Sequence, residues 1–242
     1  MVETRTFELE TADGPMAVYE ARPDGDAKGA VIVIQEAFGV NHHIEDVTRR
    51  FAAAGSLAVA PHLFHRAGGG TAPYGDFSKV IPLYEKLDDA GIVTDLDATI
   101  EYLHQGAWRD EQIGIVGFCF GGRVTFLAAL RRKLGAAVGF YGGGIVTQRF
   151  PQFPALVGEA TGLQTPWLGL FGEQDDSIPV EDVEQLRKAL RDASVETDIV
   201  LYPDAGHGFH CDQRDSYNDA AAKDAWSRTL EWLDRHLQAA NA

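Results

Sequence analysis

The chain has 242 residues, with 21 Lys and Arg against 36 Asp and Glu, for a formal net charge of −15. That balance argues against nucleic-acid binding through a basic surface. Two cysteines are too few for a disulfide framework, and a reducing cytoplasm suits a functional thiol. No stretch approaches the ~18 uninterrupted apolar residues of a membrane span, and the residues up to Pro15 lack the basic start and apolar core of an export signal. One α/β domain over residues 1–242 is the simplest organisation at this length.

Thr6 to Glu10 and Met16 to Ala21 flank the turn signal Ala12-Asp13-Gly14 and read as an opening hairpin. Ala30 to Ile34 is the first deeply buried strand. The polar, glycine-containing loop 35–41 follows it, and then a helix with Ile44, Val47, Phe51 and Ala54 on one face. Leu57 to Ala60 is a short strand stopped by Pro61. The Gly- and His-rich stretch from His62 to Phe77 is long enough to suggest a role in substrate access. From Phe77 to His104 the pattern is helical, in two pieces broken at Ala90-Gly91.

A strand ending at Gly117 runs into a helix from Arg123 to Arg132. Next come a strand from Ala136 to Tyr141, an irregular excursion from Pro151 to Gly162, and a strand from Pro166 to Phe171. A helix from Val180 to Asp192 and a last strand from Glu196 to Leu201 follow. A C-terminal helix carries Ala222, Trp226, Thr229, Leu233 and Leu237 on one face. This alternation predicts a mostly parallel twisted sheet of about eight strands with helices on both faces, and functional loops at the carboxyl ends of the strands.

Gly117-Phe-Cys119-Phe-Gly121-Gly122 has the form of a nucleophile elbow, G-x-S-x-G, with cysteine in place of serine. The flanking glycines permit a tight reversal that presents the side chain at the end of the sheet. Cys119 is therefore a candidate nucleophile. A base must come later in the chain, with a third group to orient it. His207, in Asp204-Ala-Gly206-His207-Gly208-Phe209, follows the last strand and is the candidate base. The stretch Gly172 to Pro179 offers three carboxylates, Glu173, Asp175 and Asp176, and Asp175 is the preferred orienting acid.

With these segments in order the chain resembles the dienelactone hydrolases, a branch of the α/β-hydrolase fold. The resemblance rests on Gln35-Glu36-Ala-Phe-Gly-Val-Asn41, Gly117 to Gly122, Gln174-Asp175-Asp-Ser-Ile-Pro179 and Ala205-Gly-His207-Gly-Phe209, and it covers nearly the whole sequence. It implies an esterase or lactonase with Cys119, His207 and Asp175 as a triad, and it favours Asp175 over Asp176. It also implies that Glu36 lies beside the cysteine and controls its ionisation, since a nearby carboxylate disfavours a second negative charge. The resting thiol is then expected to be partly neutral until substrate displaces Glu36. The backbone N–H groups of Phe120 and Ala37 are the expected oxyanion donors.

Two arginines hold the substrate carboxylate in the family's namesake. One would fall near Phe77, where no arginine occurs between Ala67 and Arg109, and the other falls four residues after His207, at Cys211. Both look absent, which predicts a neutral ester or lactone substrate. Candidate pocket residues are Phe38, His65, Arg66, Tyr84, Tyr141 and Cys211, with His42 and His43 as further polar contacts. His62, His65, His207 and His210 raise a metal reading, but no dense ligand motif occurs and neither metal nor cofactor is expected. Two alternatives keep the same residues. One is attack on activated phosphotriesters, and the other is a thiol sensor or ligand-binding protein using Cys119 and Cys211. The expected protein is a monomer or homodimer.

Overall fold

A computed structural model of the chain describes residues 1–238. The hairpin β1 (Glu3–Thr11) and β2 (Gly14–Arg22) forms one edge of an eight-stranded sheet. β3 (Ala30–Ile34), β4 (Leu57–Pro61), β5 (Ile113–Phe118), β6 (Ala136–Phe140), β7 (Trp167–Gly172) and β8 (Thr197–Tyr202) complete it in the order β1-β2-β4-β3-β5-β6-β7-β8. All pairings from β4 to β8 are parallel, and the two made by β2 are antiparallel. Every residue of β3, β4, β5, β6 and β7 is buried, as expected for strands covered on both faces.

The helices are α1 (His42–Ala53), α2 (Phe77–Tyr84), α3 (Asp89–Gln105), α4 (Phe120–Arg131), α5 (Val180–Ala189) and α6 (Asp219–His236). Side chains cap three of their starts: Asn41 accepts from Ile44 N, Asp88 from Gly91 N and Asn218 from Ala221 N. A Cβ added at Gly114 would meet Leu233 of α6, whereas one at Gly117, three residues on, would meet Thr125 of α4. Because successive strand residues face opposite ways, α6 and α4 cover opposite faces of the sheet. Phe51 of α1 meets Trp226 of α6 with ring centroids 4.6 Å apart, so α1 lies with α6.

The helical stretch after Phe77 breaks at 85–88 rather than at Ala90-Gly91. Asp88 supplies the cap of α3, so Ala90 and Gly91 fall inside its first turn. The stretch expected to be all loop after His62 holds a 3-10 turn, Leu63–Ala67. Arg66 closes it by bonding Asp95 of α3 and Asp13 of the hairpin turn.

Candidate active site

The strand order reverses between β3 and β5, and the loops leaving their carboxyl ends meet there, as at the switch point of open α/β sheets. Register fixes the neighbours. Ile34 pairs with Gly117 and Phe118 with Phe140, so Glu36, Cys119 and Tyr141 leave three adjacent strands side by side.

Cys119 has φ 55° and ψ −113°, a left-handed φ that few non-glycine residues adopt. Its neighbours make that reversal possible. A Cβ at Gly121 would lie 2.5 Å from the Ile34 carbonyl oxygen, and one at Gly117 would lie 2.1 Å from the Gly121 carbonyl oxygen. The Cys119 N–H is anchored to Phe140 O at 3.0 Å.

Cys119 Sγ lies 3.1 Å from His207 Nε2, and His207 Nδ1 lies 2.7 Å from Asp175 Oδ2. Asp175 is buried, and its Oδ1 accepts from Ser177 N at 2.9 Å, Ser177 Oγ at 2.6 Å and Ile178 N at 3.2 Å. Tyr141 stands edge-on to the imidazole at 5.2 Å. Burial lifts the Asp175 carboxyl, but the bonds from His207 and Ser177 outweigh it and hold the group below its ordinary value. Burial likewise pushes the Cys119 thiol up, while the charge and hydrogen bond of His207 bring it down, with Arg214 assisting and Glu36 opposing; the net direction is downward. His207, despite its burial, is pushed up to about 10 by Cys119 and Asp175. Both directions favour movement of the thiol proton toward His207, with Glu36 opposing it.

Glu36 is fully buried. Tyr74 Oη donates to its Oε2 at 2.8 Å, and Arg214 Nη1 reaches its Oε1 only at 3.5 Å. A cavity of about 250 Å³ opens over Cys119 and His207. Ala37 and Phe120 line it, as do Phe77, Tyr84, Phe150 and Phe153. Phe120 opens α4, so its N–H is one of the helix's donors without an intrahelical partner.

The two family arginine positions hold no arginine, as expected, but the cavity draws arginines from other positions. Arg123, Arg149 and Arg214 line it. Arg123 is spent on Asp89, at 2.6 and 2.9 Å. Arg149 donates to the Ser177 carbonyl and, among the described residues, has no carboxylate partner. Arg214 sits three residues beyond Cys211, where the chain turns back: Cys211 N bonds Gly208 O and Arg214 N bonds Cys211 O, so the guanidinium lies over Gly208, beside His207. Position counting landed on Cys211 and missed this return.

Other pocket candidates fall elsewhere. His65 and Arg66 are engaged with Asp95 in the 3-10 turn, because a buried carboxylate there needs both partners. Phe38 is buried behind the cavity wall, against Tyr74 and Phe77. Tyr141 backs His207 rather than facing the cavity. Cys211 is fully buried, and its Sγ donates to Tyr74 Oη at 3.4 Å. The four histidines of the metal reading go separate ways, with His210 enclosed by Phe118, Phe140 and Trp226. Tyr74, Arg149, Arg214 and Ser177 were not singled out, since none carries a spacing signal.

The model of the dienelactone hydrolase family matches residues 16–237. A protein of Salmonella typhimurium named "Putative carboxymethylenebutenolidase" is 44% identical over 228 residues, covering 91% of this chain and 83% of the relative. The crystal structure of a "Putative Dienelactone Hydrolase" from Klebsiella pneumoniae is similar with a TM-score of 0.88 and 37% identity, covering 97% of this chain and 99% of that one. A dienelactone hydrolase-like promiscuous phosphotriesterase from metagenomic libraries shares the fold, with a TM-score of 0.80 at 21% identity and coverage of 98% and 99%.

Proposed function

The chain belongs to the dienelactone hydrolase family and is a hydrolase acting on ester bonds, and from that premise we propose that Cys119 is its nucleophile, His207 its general base and Asp175 the group that orients the base. The observation that carries the reading is the hydrogen-bonded line from Cys119 Sγ through the His207 ring to Asp175 Oδ2, at 3.1 and 2.7 Å. The Cys119 thiolate attacks the carbonyl carbon of an ester or lactone. The carbonyl electron pair moves onto oxygen, where the N–H groups of Ala37 and Phe120 receive it, each such donor lowering the barrier by about 3 kcal/mol. The C–O bond then breaks, His207 gives its Nε2 proton to the leaving alkoxide, and a thioester remains on Cys119. Neutral His207 next takes a proton from the attacking water, and release of the acid restores the thiolate–imidazolium pair.

The substrate is a small ester or lactone with an apolar body and an anionic group. The aromatic side chains that line the cavity suit the body, and Arg149, without a carboxylate partner, together with the loosely held Arg214 suits the anion. This replaces the neutral substrate expected from sequence. An anion on Arg214 competes with Glu36 for the guanidinium, so binding itself loosens Glu36. Activated phosphotriesters are a second class of electrophile for the same thiol, an activity borne in name by a protein of the same fold. A thiol-sensor role is disfavoured by the complete burial of Cys211, since redox-active thiols are accessible.

Two steady-state comparisons test the reading. Cys119→Ala, with its fold checked by circular dichroism, is expected to lose turnover of all esters by about 10³-fold or more; retained turnover overturns the nucleophile. Arg149→Ala is expected to lower kcat/KM for a carboxylate-bearing aryl ester by about ten- to a hundred-fold while sparing its methyl-ester counterpart. Equal effects on both overturn the anionic substrate alone.

A further inference from the structure

Behind the catalytic line, three buried side chains of different elements converge: Glu36 from the loop after β3, His43 from the first turn of α1, and Cys211 from the loop after β8. A carboxylate oxygen, an imidazole nitrogen and the thiol sulfur lie within 4.8 Å of one another. The His43 side chain is 2% exposed. Its Nδ1 stands 3.8 Å from Asp212 Oδ1, and its Nε2 has no hydrogen-bond partner among the described residues. A buried imidazole nitrogen without a partner costs on the order of 1–3 kcal/mol, so the arrangement needs an occupant that accepts its lone pair or its proton.

We propose that Glu36, His43 and Cys211 form a buried binding site for a divalent transition cation of the zinc class, with a fourth position left for water.

The donor set selects the metal. Thiolate and imidazole suit Zn²⁺ and Co²⁺ and disfavour Mg²⁺ and Ca²⁺, which take oxygen. Bond lengths of roughly 2.0 Å to nitrogen and oxygen and 2.3 Å to sulfur put tetrahedral donor atoms about 3.5 Å apart, so the observed group needs to contract by ~1 Å. Glu36 is able to give that much, because the contact of its Oε1 with Arg214 is long at 3.5 Å, while Tyr74 holds Oε2. Asp212, beyond Nδ1, is placed to orient the imidazole as carboxylates do behind metal-bound histidines. On binding, the S–H proton of Cys211 leaves to solvent, and thiolate and carboxylate together balance the charge of the cation. The site shares Glu36 with the surroundings of Cys119 but uses neither Cys119 nor His207.

Titration with Co²⁺ tests this, because a thiolate–cobalt bond gives a near-ultraviolet charge-transfer band with d–d bands that report tetrahedral geometry. Cys119→Ser protein serves as the parent, which removes the catalytic thiol as a ligand. The expected result is one equivalent of Co²⁺ bound with both signatures, displaced by Zn²⁺, with the sulfur band lost in Cys119→Ser/Cys211→Ser. Affinity should fall about ten-fold or more in His43→Gln or Glu36→Gln on the same background. Absence of the charge-transfer band in the parent overturns the proposal, as does a band that survives Cys211→Ser. If Cys211→Ser does not fold, the His43→Gln and Glu36→Gln variants decide, and unchanged cobalt affinity in both overturns the site.

Discussion

The residue with the most consequences is Glu36, a fully buried carboxylate whose charge acts on the reactive thiol. Its charge raises the Cys119 thiol while burial does the same and His207 pulls the other way. Glu36→Gln removes the negative charge and keeps the shape, so the thiolate becomes easier to form. The rate–pH profile of alkylation by iodoacetamide is expected to move to lower pH; an unchanged profile removes Glu36 from the chemistry. Nothing in the spacing around Glu36 marks it, and only the resemblance of residues 35–41 to a family pattern brought it forward. Arg214 was beyond even that. The family position four residues after His207 holds Cys211, and the guanidinium reaches the cavity from a later residue because the chain turns back over Gly208, whose φ is +80°. A side chain that arrives by a turn leaves no trace in a position count.

At the scale of elements, the glycines of β5 and α4 set how closely the central helix packs on the central strand. Gly121 meets backbone oxygens of Ile34 and Gln35, at 2.5 and 2.6 Å from where a Cβ would sit. Neither atom belongs to a flexible side chain. Gly121→Ala is therefore expected to destabilise the protein by about 1–3 kcal/mol, which for a domain of this size lowers Tm by roughly 2–4 °C per kcal/mol. Gly158, with no atom of another described residue beyond its chain neighbours within 4 Å of its Cβ position, is the control, and Gly158→Ala is expected to leave Tm within about 2 °C. Equal Tm values for the two variants in thermal melts would contradict the packing argument. The strands were the legible elements, since buried runs such as Ala30–Ile34 and Ile113–Phe118 are apolar throughout and bounded by polar or turn residues. The helix break falls near residue 88 rather than at Gly91 because the deciding group is not the glycine but the Asp88 side chain, which accepts from the Gly91 N–H.

Across the whole molecule, one topological fact gathers the site. Strands β3, β5, β6, β7 and β8 run parallel, and the loops at their carboxyl ends supply Glu36, Cys119, Tyr141, Asp175 and His207. The order of Cys119, Asp175 and His207 along the chain was therefore enough to predict that these three meet, whereas Glu36 needed the resemblance. The walls of the cavity were not predictable in the same way, because Arg149, Phe150 and Phe153 come from the irregular stretch after β6. The net charge of −15 is likewise a poor guide to the substrate, since fields from distant surface charges are screened over about 8 Å at physiological salt and the cavity presents Arg149, without a carboxylate partner among the described residues, and Arg214, held by Glu36 only at 3.5 Å. The central claim is that turnover passes through an acyl group on Cys119. A hindered ester, p-nitrophenyl pivalate, slows hydrolysis of the thioester more than its formation, so the intermediate accumulates. Peptide mass analysis after acid quench is expected to find one pivaloyl group per chain, on the peptide containing Cys119, with a matching burst of p-nitrophenolate. A burst with the acyl group on any other residue would contradict the account.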